Sequence, residues 1–436
     1  MSQPGRQPRL WTVLCLGAAA LCSTRALFAS PLGYQPPPPP RTAPSNINVM
    51  TQAVGLLGQG KMKEADALLL QEMQNNPGDA DAALGRAQIA LTERQLDKAD
   101  QMVTAVLKQQ DNLAEAHNMK GLVLLLRKNS AAAHQEFARA IELRPQYITP
   151  RLYLAVMASV AGDFPSAAAQ YRQITVVAPR LPTGYLGAAE ADTMMHREPD
   201  ALKILESWKA ADPKTLLPYQ VLANIAISDH KPQDAIRQMQ AALAKAPHDS
   251  KTLTILGEAY VAAGDIHSAA AQYQAALAAN PADADAAVHL GTLEAAQGTT
   301  GPALAHFRQA LKADPNDPIA ANDAAWLLAD QGKDLDEALR LAQLAVKREP
   351  KYADAHDTLG WVLYRRGDYV HAVIVLKEAK LLAPASPDVA AHLGLAYAKT
   401  GHKQEALAEL NRALQSKSPL ATRSTVQQTI AQLSTR

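Results

Sequence analysis

The chain has 436 residues with 43 basic and 42 acidic side chains, a net charge of +1, so no global field draws it to nucleic acid or an anionic membrane surface. Aromatic residues make up only 5% of it while Ala is abundant, which suits thin, closely packed helices and leaves little material for a bulky enzyme core. Length alone would allow two or three globular domains, but an internal repeat overrides that division.

At the N-terminus, Arg6 and Arg9 precede an apolar run from Leu10 to Cys22, and small and mixed residues follow through Ser30. That order predicts a secretory signal over residues 1–30, with cleavage near Ala26 or Ala29. The run falls short of the roughly 20 apolar residues that a spanning helix needs, so no mature transmembrane span is expected. An uncleaved N-terminal membrane anchor is the alternative. A lipoprotein anchor on Cys22 is disfavoured by Leu21, which stands where a small residue is wanted. Both cysteines, Cys15 and Cys22, lie in this segment, so a cleaved product would have no disulfide, thiolate nucleophile or Cys-ligated metal. Export of a cysteine-free repeat protein suits a bacterial periplasm or cell envelope. Residues 31–45, with the unbroken run Pro36 to Pro40, read as an extended polyproline linker.

From residue 46 to 419 the chain repeats at intervals of 34 residues, with a single interval of 35 near Ala329 to Asp336. When position 1 of the first unit is set at Asn46, position 20 is Ala in all eleven copies: Ala65, Ala99, Ala133, Ala167, Ala201, Ala235, Ala269, Ala303, Ala338, Ala372 and Ala406. Position 8 is Gly or Ala throughout, position 27 is mostly small, and position 32 is Pro in nine copies, from Pro77 to Pro384. Each unit reads as two antiparallel helices, with the small residue at 8 expected to meet the Ala at 20. Gly at position 15 in seven copies can take the left-handed conformation that ends the first helix. Asp163, Asp265 and Asp368 follow as caps for the second. Proline at 32 ends that second helix. In Asp317-Pro318 and Ser386-Pro387 a cap precedes a proline suited to the first helical turn. A helix pair of this size cannot bury its apolar face alone, so neighbours must stack. Residues 420–436 read as a capping helix, with Val426, Ile430 and Leu433 at helical spacing. The expected fold is an all-α solenoid.

The small residue, Ala, aromatic, small residue and Pro at 8, 20, 24, 27 and 32 resemble the tetratricopeptide repeat family, with aromatics at 24 in Phe137, Tyr171, Tyr273 and Phe307. The resemblance implies a right-handed superhelix of eleven repeats. The second and fifth repeats depart from it, with Val106 and Trp208 at position 27, and irregular packing is expected there. The stretch from Asn322 to Ala379 is similar to exported bacterial members of the family associated with exopolysaccharide production and envelope assembly.

No phosphate-cradling, dinucleotide, zinc-protease or nucleophile-elbow motif occurs, so neither an enzyme nor a cofactor site is expected. His289, His356 and His392 recur along the array, and solvated helix residues explain them better than a metal or acid-base site. The resemblance implies a concave groove lined by positions 2, 5, 6, 9, 12 and 13 of each first helix. In the third and fourth repeats these are largely apolar, including Met119, Leu122, Leu125, Leu126, Leu152, Tyr153 and Val156, a face for packing or for a partner helix. In the ninth to eleventh they are mixed, and the candidate partner-binding residues are Asn322, Asp323, Trp326, Asp354, Asp357, Trp361, Tyr364, Arg365 and His392, with Lys399 beyond them. Paired tryptophans beside Asp, Asn and Arg suit a protein or peptide ligand, or a polysaccharide stacked on the rings. Simple filling of the junction between repeats by the tryptophans is the structural alternative. The acids around Asn322 argue against an anionic peptide end.

Overall fold

A computed structural model of the chain describes residues 46–416 and 422–435; the expected signal segment and polyproline linker lie outside the described residues. Among the described residues there are 23 helices and no strand. They form eleven consecutive pairs, from Asn46–Gly58 with Met62–Asn75 to Pro387–Lys399 with Lys403–Gln415, followed by a last helix, Arg423–Ser434. The described residues divide into two compact units, one ending at Leu222 and the other beginning at Ala223. Within each unit a helix packs on its chain neighbours, and first helices of successive repeats also touch, as Pro318–Gln331 does with Ala353–Arg365.

The helix ends follow local chemistry. Asp163, Asp265 and Asp368 accept hydrogen bonds from the backbone N–H groups of Ser166, Ser268 and His371. Asp317 and Ser386 cap helices whose first turn carries Pro318 and Pro387. Second helices that precede a proline stop two residues before it, as Ile266–Ala279 does before Pro281, except Pro232–Leu243, which stops four before Pro247; a residue preceding proline is pushed out of the helical region.

The turn between paired helices is more uniform than glycine placement predicts. Position 15 has positive φ in all eleven repeats: seven times Gly, and otherwise Arg94, Lys128, His196 and His230 at φ 60°, 62°, 57° and 56°. Closing the hairpin therefore imposes the left-handed residue even on side chains that pay about 1–2 kcal/mol for it. The residue added in the ninth repeat sits in this turn. Gly332 takes the usual left-handed position, and Asp334 follows at φ 44° before the second helix starts at Leu335.

The Ala at position 20 is buried in every copy, and the Gly or Ala at position 8 with it. The glycines at position 8 have a further partner. A Cβ added to Gly121 would lie 2.7 Å from the Phe137 ring, and one on Gly394 would lie 2.7 Å from Leu410. Gly257 and Gly360 likewise face Tyr273 and Leu376. The glycine at 8 thus makes room for the large residue at 24, and the expected meeting with Ala at 20 is seen beside it: Gly291 approaches the Ala303 backbone at 3.1 Å, and Ala53 shares a core cluster with Ala65 and Ala155 one with Ala167.

The fifth repeat resolves its departure locally. Trp208 is fully buried and stacks flat on Tyr185, ring centroids 5.2 Å apart. At the C-terminus, Val426 is fully buried and Ile430 and Leu433 pack on the same core cluster, which runs from Ala325 to Ala413.

Candidate functional site

Three first helices carry the candidate residues: Pro318–Gln331, Ala353–Arg365 and Pro387–Lys399. At their centre is an aromatic stack. The His392 ring lies 4.5 Å from Trp361 and 5.6 Å from Trp326, the two tryptophans are 6.4 Å apart, and Tyr364 stacks on Trp361 at 5.1 Å. The two tryptophans are not equivalent. Trp361 is 6% exposed and belongs to the core, whereas Trp326 is only partly buried. For Trp361, filling the junction between repeats is what the structure displays. Its indole N–H is buried without a hydrogen-bond partner.

Charged groups surround the stack. His392 is 1% exposed, and its Nδ1 is 2.9 and 3.0 Å from the two Asp357 carboxylate oxygens. Burial pulls this imidazole down, but Asp357, Asp388 and Asp330 outweigh it and hold the group above its ordinary value. Asn322 is 5% exposed; its Nδ2 donates to Asp323 at 3.0 Å, and its Oδ1 is buried without a partner. Burial pushes the Asp323 carboxyl up to about 6, helped by Asp354 and Asp317 and opposed by the hydrogen bond from Asn322 and by the nearby Thr292 hydroxyl. Asp354 is exposed to solvent yet also raised, by its surroundings first and then by Asp357 and Asp388. Arg365 is turned inward: it donates to the Asp330 carbonyl at 2.9 Å and lies over the Trp361 ring at 5.6 Å. It braces the ninth repeat's turn.

The structure thus gathers Trp326, Asp357, Trp361, Tyr364 and His392 into one cluster across three repeats, while Asn322 bonds to Asp323, Asp354 lies outside that cluster and Arg365 is engaged with backbone. Asp388 was overlooked, although it occupies position 2, one of the groove positions used to choose the others. The three recurring histidines are not the solvated residues expected: His356 and His392 are buried and His289 is partly buried, because each is paired with an acid. His289 pairs with Glu258 of the preceding repeat at 3.0 Å, His356 with Glu378 of its own second helix at 3.3 Å, and His392 with Asp357. Among the described residues no group of three or more His, Cys, Asp or Glu side chains is placed to hold a metal ion. No helix among them is long and apolar enough to cross a membrane.

Residues 256–318 and 322–390 match one tetratricopeptide repeat family and residues 387–418 match a second of the same description. No curated protein matches the sequence. Among solved structures, the chain is similar to the APC/C hetero-tetramer Cut9–Hcn1, at 14% identity and a TM-score of 0.47 over 98% of this chain and 96% of that one. It is also similar to Naa15/Naa10 bound to HypK-THB, at 15% identity and a TM-score of 0.33 over 84% and 68%. Both scores are too low to bear on the fold, which rests on the chain's own helix pairs. Residues 256–318, 322–390 and 387–418 are thus similar to tetratricopeptide repeats, and the same register of buried Ala, small residue and left-handed turn runs back through the chain's other helix pairs.

Proposed function

We propose that this chain is a non-enzymatic scaffold that holds a protein partner on the first helices of its ninth to eleventh repeats. One observation carries this reading: Trp326 is partly open to solvent while its underside is fixed by the buried stack of Trp361, His392 and Tyr364. A large apolar group whose rotamer is already set loses little entropy on binding, which is the property of an interface anchor. The polar groups beside it, Asp323 and Asp354, supply acceptors for a peptide's N–H groups. Binding of a polysaccharide is the second reading, since an open indole next to carboxylates also suits a sugar face. It is the weaker one, because only one of the two rings is accessible.

The finer proposal places the scaffold in a bacterial cell envelope, exported by the segment 1–30 and serving exopolysaccharide production or export. Its support is the charged, apolar and small-residue order of that segment and the likeness of the Asn322–Ala379 stretch to exported repeat proteins. The test compares capture of envelope proteins and retention of secreted polysaccharide by the mature chain and by Trp326→Ala. Loss of a protein partner in the variant supports the scaffold; loss of glycan retention alone moves the assignment to the second reading. Unchanged behaviour in both assays removes Trp326 from the function. Export is checked separately: a mature N-terminus at Met1 or Ser2 in a cytosolic protein would end that part of the proposal.

A further inference from the structure

Between the first two repeats lies a pocket of about 260 Å³, formed by the end of the helix Met62–Asn75, the turn at Pro77 and Gly78, the start of Ala80–Thr92 and the helix Leu96–Gln109. Met73, Pro77, Ala83, Met102, Ala105 and Val106 make it apolar, and the exposed Gln101 and Gln109 also line it. Two small residues leave it open. Gly78 stands where the third to fifth repeats carry Gln146, Arg180 and Lys214, and Ala105 stands where the third and fourth carry Arg139 and Gln173. A Cβ added to Gly78 would meet nothing within 4 Å. Apolar walls of this kind favour an occupant that takes them out of water.

We infer that the occupant is this chain's own proline run, Pro36–Pro40, folded back onto the first two repeats. The run lies outside the described residues, and the position of Asn46, where they begin, makes the inference specific. The helix Asn46–Gly58 runs antiparallel to Met62–Asn75, so Asn46 lies at the same end of the pair as Met73 and Pro77. From there the pocket is two helix spacings of about 8–10 Å away. Pro40 and Pro36 precede Asn46 by six and ten residues, which at 3.1 Å per residue of polyproline helix is a reach of about 19 and 31 Å. The run therefore arrives at the pocket without a long loop. The chemistry agrees with the reach. Proline has no N–H, so the run meets an apolar wall without burying an unpaired donor. Its carbonyls only accept hydrogen bonds, and the Gln101 and Gln109 amides carry donors for them. A polyproline helix is already ordered, so docking costs little chain entropy. Met73 and Met102 are unbranched and adapt to the shape of a ring. Docked in this way, the run straps the first two repeats together and sets the direction in which the preceding segment leaves the array.

The test follows the methionine methyl groups of the mature chain by carbon-13 NMR. Replacing the run at constant length, by Pro36→Gly, Pro37→Ser, Pro38→Gly, Pro39→Ser and Pro40→Gly together, should shift the Met73 and Met102 signals and leave those of Met157 and Met239 in place. In a chain carrying Gly78→Arg, which fills the pocket at a site with room for a side chain, the same replacement should shift neither. A second measurement is covalent. Residues 31–436 contain no cysteine, so engineered pairs are read without competition. Pro38→Cys should form a disulfide with Gln101→Cys faster than with Gln74→Cys, an exposed site on the helix that packs against Asn46–Gly58. Unshifted Met73 and Met102 signals in the linker variant overturn the inference, as do equal rates for the two cysteine pairs. A proline peptide that shifts those signals when the linker replacement does not would assign the pocket to another chain, which also refutes the self-docking. Partner capture through Trp326 is measured apart from all of these, so the scaffold reading stands or falls on its own.

Discussion

The Nδ1 atom of His392 lies 2.9 and 3.0 Å from the two carboxylate oxygens of Asp357, so a buried imidazole–carboxylate contact ties the eleventh repeat to the tenth. The imidazole is held above its ordinary value in spite of burial, and the facing acids Asp357, Asp388 and Asp330 are the cause. A group raised on folding stabilises the protein below its unfolded value, and that contribution is lost as pH rises through the folded value. His392→Gln should therefore cost more stability at pH 6 than at pH 8.5. Denaturant midpoints of the two proteins at both pH values check this, and an equal difference at both would refute it.

Asp323 works in the opposite sense for an acid. Its carboxyl, pushed up to about 6, is destabilised in the folded chain once ionised. The penalty is absent below the ordinary value of 3.8, grows as pH rises to about 6 and is constant above. Asp323→Asn should leave the melting temperature unchanged near pH 3.5 and raise it at pH 7.5. The Asn322 amide hydrogen-bonds this carboxylate and the Thr292 hydroxyl lies near it, so they moderate the effect without reversing it.

Gly121→Ala should destabilise the chain by about 1–3 kcal/mol, the usual cost of overpacking, because the new methyl would lie 2.7 Å from the Phe137 ring. Phe137→Leu in the same chain should recover part of the loss. A double-mutant cycle in urea measures the coupling, and strict additivity would show that the two side chains do not compete for space.

His196→Gly and Arg94→Gly are expected to stabilise, each by up to about 1 kcal/mol, since both residues hold positive φ at 57° and 60° in the turn where seven other repeats use Gly. The entropy that glycine adds to the unfolded chain limits the gain. Differential scanning calorimetry should show a rise in Tm for each variant.

The tryptophans should separate stability from binding. Trp361→Ala removes a core side chain and should cost about 3–5 kcal/mol. Trp326→Ala, at a partly open site, should cost less in stability and more in partner capture. Comparable stability losses would mean that both rings are structural.

Much of this was legible in the residues themselves. Ala at position 20 marked a buried site in every copy, and Asp265 or Asp317 marked a helix start through a hydrogen bond three residues on. These signals survive in sequence because the interactions are local. The left-handed turns at Arg94, Lys128, His196 and His230 carried no such mark, since helix pairing imposed them on residues that do not favour them. In the candidate site the groove positions picked out most of the cluster, including both tryptophans, but could not rank them.

By itself, then, the sequence determined the helix pair, its repetition and its register, all consequences of periodic apolar faces and short-range capping. Only the tertiary structure decided that Trp361 is core while Trp326 is partly open, that Arg365 braces a turn, that Gly at position 8 faces the large residue at 24, and that His392 is buried against Asp357. Those outcomes depend on which side chains neighbouring repeats bring together across some 30 residues of chain, a distance over which no local propensity acts.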